Sequence, residues 1–226
     1  IWRVNSDGSG DVQMTNGEEG ETSPRWSRDG QTIAFLATRD AADVQQIYLL
    51  PNRGGEARQL TEHPTAVSAI AWSPEGDAIY FLASDEKTEA QQAREDAKDD
   101  VYAFEEDFQQ RHLWRAAAAD GSAERVTEGD YSILGYSLSR DGHRIAFHRA
   151  PNPVLEYGDA SEVWVMGADG AGPRRLTTNG VPESGAQVSP DGSQVLFLAR
   201  SNERFEKYHN RNIFLVPSLL PERPPR

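Results

Sequence analysis

An all-β chain of repeated four-stranded antiparallel units is the fold class this sequence predicts, on three observations. An apolar-aromatic run, an acidic-Gly turn and a second apolar run recur four times, as RWSRDGQTIAF, AWSPEGDAIYF, YSLSRDGHRIAF and AQVSPDGSQVLF. A strand, a Gly-containing turn and a strand ending in Thr recur as IWRVNSDGSGDVQMT, IYLLPNRGGEARQLT, LWRAAAADGSAERVT and VWVMGADGAGPRRLT. The two markers keep step: Asp29, Glu75, Asp141 and Asp191 are spaced by 46, 66 and 50, and so are Thr15, Thr61, Thr127 and Thr177. Two independent markers with one spacing identify an internal repeat.

The strands follow from alternation. In QTIAFLA, Ile33, Phe35 and Ala37 point to one face and Thr32, Ala34 and Leu36 to the other, and both sets are largely apolar, as in a strand covered on both sides. Asp-Gly and Gly-Gly favour the positive backbone angles of tight hairpins. Pro74 and Pro190 suit the first inner position of a turn, where φ is preset. A four-stranded sheet with two apolar faces needs neighbours on both sides. Repeated four-stranded units of this size are the signature of β-propeller blades.

Taken in order, residues 1–15 form the outer half of a blade, residues 22–61, 68–127 and 134–177 form three complete blades, and residues 185–217 form three strands of another. Residues 218–226, SLLPERPPR, form an irregular tail where a Gly turn and a fourth strand are expected. The chain thus reads as a slice of a longer protein. Apolar blade faces at its two ends are expected to drive association, with itself or with the rest of the parent.

The interval of 66 exceeds the preceding 46 by 20 residues, which places a helical or irregular insertion at about 84–111. SDEKTEAQQAREDAKDD is polar all round and rich in helix formers, so it reads as an exposed helix or mobile excursion. VYAFEEDFQQRHLW then interleaves aromatics with charge. Tyr102, Phe104 and Phe108 either pin the loop onto its blade or serve recognition, since long excursions from a regular scaffold often hold function.

Composition excludes much. The net charge of −13 disfavours a nucleic-acid partner. No cysteine is present, which removes disulfides, Cys-ligated zinc and a Cys nucleophile. No apolar run approaches the roughly 18 residues of a membrane span, and no signal peptide is visible. No Gly-x-Ser-x-Gly elbow and no His-Glu-x-x-His is present; Ser137 in GYSLS comes nearest to the elbow. His63, His112, His143, His148 and His209 show no ligand spacing. NSDGSGDVQMTN has Asn16 where a calcium loop needs its bidentate Glu. No catalytic residue, metal site or cofactor is therefore expected. Glu105 and Glu106, adjacent acids beside aromatics, either form a solvated loop or bind a cationic group such as a peptide's free amino terminus.

WSPEGDAIYFLA and VSPDGSQVLFLA, with the strands that follow, resemble the WD40-like propeller repeats shared by TolB and the prolyl oligopeptidase (S9) family. DDVYAFEEDFQQRHLW and NERFEKYHNRNIFLVP resemble the propellers of S9 dipeptidyl- and acylaminoacyl-peptidase-like enzymes. The resemblance runs to Pro217. It implies a module that gates access to, and helps bind peptides for, a catalytic α/β-hydrolase domain absent from this chain. By that analogy Glu105 and Glu106 are candidate amine binders, with Arg111 near a carbonyl or a structural acid. A periplasmic or secreted location is implied as well. The competing readings are a TolB-like periplasmic protein-binding propeller and a propeller fused to an amidohydrolase.

Overall fold

A computed structural model describes residues 1–17, 20–39, 43–98, 108–154, 159–202, 204 and 206–218. By its internal contacts the chain divides into two units. The first is Ile1–Ser84 with Leu113–Arg125, and the second is Asp85–His112 with Val126–Arg226.

In the first unit β1 (Trp2–Arg3) pairs antiparallel with β2 (Val12–Gln13). Then β3 (Glu21–Trp26), β4 (Thr32–Ala37), β5 (Gln46–Pro51) and β6 (Arg58–Gln59) form one four-stranded sheet in chain order. β7 (Val67–Trp72), β8 (Ala78–Ser84), β9 (Arg111–Ala117) and β10 (Ala123–Arg125) form the next, with β9 entering this unit at Leu113. Every residue of β4 from Ile33 to Ala37 is buried, because each face meets a different neighbour. On one face Ala34 and Leu36 join Ile47 and Leu49 of β5, which pack against Val67, Ile70, Ile79 and Phe81 of the following sheet. On the other, Ile33, Phe35 and Tyr48 cluster with Ile1 and Met14, and the Phe35 and Tyr48 rings stack at 5.8 Å. Each such side chain contributes roughly 1.5–3 kcal/mol by leaving water.

In the second unit the helix α1 (Glu89–Asp96) precedes β11 (Ser132–Leu138), β12 (Arg144–Ala150), β13 (Glu162–Gly167) and β14 (Arg174–Arg175), again a sheet in chain order. β15 (Glu183–Val188), β16 (Gln194–Ser201) and β17 (Lys207–Pro217) form a three-stranded sheet. Ala146 and Val163 of the first sheet pack against Ala186, Val195 and Phe197 of the second. The fold class read from the sequence is therefore the observed one: antiparallel, four-stranded and nearly all β, with one short helix in the insertion.

Two local details differ from expectation. Asp-Gly does not make a two-residue hairpin. Gly30 N–H donates to the Ser27 carbonyl, and of Asp29-Gly30 only the glycine is left-handed, at φ 68°. This is the longer connection built on a four-residue turn closed by a left-handed glycine. The acid's task is to accept from the turn: Ser27 Oγ at 2.6 Å and the Gln31 N–H at 3.0 Å both reach Asp29 Oδ1. Ser139 with Asp141 and Ser189 with Asp191 repeat it, and the bonds from Ser189 and Ser193 hold Asp191 down to about 2. Glu75 does not take this role. Ser73 Oγ donates instead to Asp77, at 2.6 Å.

The Thr that ends each repeat is a buried clasp. Thr61 Oγ1 accepts from the Ile47 N–H at 3.0 Å and donates to Gln46 Oε1 at 2.8 Å. Thr177 Oγ1 accepts from the Val163 N–H at 2.9 Å, but two carboxylate oxygens, Glu162 Oε2 and Glu183 Oε2, each lie 2.7 Å from it. One hydroxyl proton serves only one of them.

Candidate functional site

The insertion lies in the second unit and begins at Asp85, whose N–H donates to the Gln110 carbonyl at 2.8 Å and so closes its neck. Its helix α1 starts at a capping box: Gln91 N–H donates to Thr88 Oγ1 at 3.2 Å and Thr88 N–H to Gln91 Oε1 at 2.8 Å. It buries no side chain, so caps rather than packing define it, and the exposed Lys87–Glu95 pair at 2.5 Å adds little. Phe108 is partly buried. Tyr102, Phe104, Glu105 and Glu106 lie outside the described residues.

The root of the insertion is a polar knot. Gln110 Nε2 donates to Asp130 Oδ1 at 2.8 Å and to the Pro151 carbonyl at 3.1 Å, while its Oε1 accepts from Ser132 Oγ at 2.6 Å. Arg111 N–H donates to the same Ser132 Oγ at 3.0 Å. The Arg111 guanidinium donates from Nε to the Ile133 carbonyl and from Nη2 to the Leu134 carbonyl, each at 2.9 Å. These two residues lie at the register shift between Ile133 and Gly135, where β11 slips against β12. Such a bulge disrupts the ladder locally, and Arg111 supplies donors to it. Burial lowers the Arg111 pKa but leaves the group charged. Replacing Arg111 with Met is expected to cost about 2 kcal/mol, because two half-buried carbonyls lose charged donors. Chemical denaturation of the variant checks this.

His112 is fully buried. Its Nδ1 lies 3.2 Å from Thr127 Oγ1, its Nε2 lies 3.7 Å from Asp85 Oδ2, and its ring meets Tyr131 edge-on at 5.6 Å. His148 is buried too, with Nε2 accepting from the Ala186 N–H at 2.9 Å. Desolvation pushes it down to about 4, so it is a neutral backbone acceptor. Asp7 likewise only closes a turn, accepting from Ser9 N–H at 2.9 Å. Among the described residues no group of three His, Asp or Glu side chains could hold a metal ion, and no helix is long and apolar enough to cross a membrane. What these contacts do is position the root of the insertion.

Sequence reasoning singled out Arg111 but missed Gln46, His112 and Glu162 as clasp partners. Their signal was available: Gln46, His112 and Glu162 each stand 15 residues before a terminal Thr.

Four-stranded antiparallel sheets in chain order, with Ser-Asp turns between their first two strands and one excursion, define a β-propeller domain. The chain matches the lipoprotein LpqB β-propeller domain family over residues 1–189 and belongs to it. It is similar to the uncharacterized peptidase YuxL of Bacillus subtilis, 29% identical over 96% of this chain and 27% of YuxL. It is also similar to dipeptidyl-peptidase 5 of Porphyromonas endodontalis, 38% identical over 68 residues, 30% of this chain and 10% of that enzyme. Among solved structures, TolB of Acinetobacter baumannii matches with a TM-score of 0.61 and 16% identity, over 96% of this chain and 45% of TolB. The chain thus spans about a quarter or less of the two peptidases' own lengths.

Proposed function

We propose that this chain is the propeller module of a serine peptidase of the prolyl oligopeptidase family, where it limits entry to short peptides and helps hold their amino end. The observation that supports this best is the similarity to a peptidase along 96% of the chain. The insertion with Glu105 and Glu106 is the element assigned to the peptide amine, since adjacent carboxylates attract an ammonium group. Arg111, committed to two carbonyls, anchors the root of that insertion. The module is non-catalytic by itself, and the parent works in the periplasm or outside the cell.

The test uses the full-length protein. The Glu105→Gln, Glu106→Gln double variant is expected to raise KM for free-amino peptides about tenfold, the size of one charge-assisted hydrogen bond, with N-blocked peptides little affected. Equal effects on both would remove the amine role. A second reading is favoured by the lipoprotein in the family's description and the fold shared with TolB: an extracytoplasmic binding propeller without an enzyme. A full-length protein that hydrolyses no peptide decides for that reading.

A further inference from the structure

Arg149 stands near the C-terminal end of β12 with its guanidinium carbon 3.8 Å from the Tyr131 ring centroid and 4.5 Å from that of Trp164. Both rings bind it by cation–π contact. Tyr131 in turn touches His112 at the root of the insertion. Among the described residues the Arg149 side chain has no hydrogen bond and no ion pair. That is unusual for a half-buried arginine, which offers five donors and cannot shed its charge. It is more unusual in a chain with 36 acidic and 23 basic residues, where carboxylates are plentiful.

The neighbouring acids are already committed. Glu162 lies directly opposite Arg149 in the β12–β13 ladder, and residues directly opposite share a face. Yet its carboxylate binds Arg175 at 2.6 Å and Thr177 at 2.7 Å. Asp130, next to Tyr131, is taken by Gln110. The sheet thus sets a guanidinium opposite a carboxylate and withholds the pairing. Two aromatic contacts hold the group, and among the described residues its N–H donors have no partner. A planar fork of donors matches a carboxylate in a bidentate arrangement.

We propose that Arg149, with Tyr131 and Trp164, is a binding site for the free carboxylate of a short peptide. The peptide as the source of that carboxylate rests on the function proposed above; the oxyanion site itself does not.

The experiment is calorimetric titration of the full-length protein with Gly-Phe, with its C-terminal amide and with inorganic phosphate, each repeated on Arg149→Met and Arg149→Lys. The acid is expected to bind at least about tenfold more tightly than the amide, with Arg149→Met abolishing the difference and Arg149→Lys keeping part of it. Circular dichroism of the folded variants, above all Arg149→Lys, guards against a folding defect. Equal affinity for acid and amide in the wild type, or a preference that survives in Arg149→Met, overturns the site. Phosphate binding as tightly as the dipeptide, and lost in Arg149→Met, overturns the peptide as its source while leaving an oxyanion site. A preference for the acid in a protein that cleaves no peptide supports the site and counts only against the peptidase reading.

Discussion

Gly121→Ala is expected to cost about 3 kcal/mol or more, a large fraction of the roughly 5–15 kcal/mol that keeps an ordinary domain folded. Gly121 is left-handed at φ 78°, and a methyl there lands inside contact distance of the Leu60 carbonyl oxygen, a backbone atom with no rotamer to relieve it. The left-handed conformation alone costs an L-residue about 1–2 kcal/mol, and overpacking adds about 1–3 kcal/mol. Gly170 repeats the arrangement inside the second unit, at φ 83° and against the Val126 carbonyl oxygen. Leu60 and Val126 each precede a clasp Thr, so the same device recurs in both units. Gly54 is the control: it is left-handed at φ 91° but has open space around it. Gly54→Ala should therefore lose only about 1 kcal/mol. Urea denaturation of the three variants separates the two costs. Equal losses at Gly54 and Gly121 would show that the close approach contributes nothing.

Glu183→Gln is expected to make the protein more stable at pH 8 and to remove a fall in stability that the wild type shows on raising the pH. Two carboxylate oxygens reach the one Thr177 hydroxyl, so one of the acids must be protonated and donate. Arg175 bonds Glu162, whereas burial raises the Glu183 pKa and so favours its neutral, donating form. The other groups facing it are the Val163 N–H at 3.2 Å and the Asn179 amide at 2.6 Å. A carboxyl whose folded pKa is raised contributes fully below its unfolded value and loses that contribution as pH climbs through the folded one. Glutamine does not titrate: its oxygen can accept from Asn179 and its amide can donate to Thr177, while the Val163 N–H keeps Thr177 Oγ1 as its acceptor. The gain at pH 8 is about 1 kcal/mol, or about 2–4 °C in Tm for a chain of this size. His148 acts with the opposite sign: its depressed pKa, about 4, withdraws stability as pH falls below the ordinary imidazole range. The difference between wild type and Glu183→Gln cancels that contribution. A difference that does not change between pH 4 and 8 would place the proton elsewhere.

The strands were legible because their signal is local. Alternation in QTIAFLA and the acidic-Gly turn that precedes it lie within ten residues of one another. The substitution of Asp77 for Glu75 was not legible, because choosing between two acids needs side-chain reach. The role of Arg111 was only partly legible. RHLW marks a strand start, but the carbonyls it binds belong to a bulge 22 and 23 residues away, and a bulge leaves no mark in composition.

By itself the sequence determined the repeat, the number of strands in each unit, the position of the excursion and the absence of a nucleophile elbow. Each is a matter of residue type and spacing along the chain. Only the tertiary structure decided that Glu162 and Glu183 share one Thr, that Gly121 and Gly170 abut carbonyls of the preceding repeat, and that Arg149 stacks on two rings beside a carboxylate it does not pair with. Those facts join residues from separate strands and loops. They depend on register and on which way a side chain turns, and packing chooses both only after the sheets have formed.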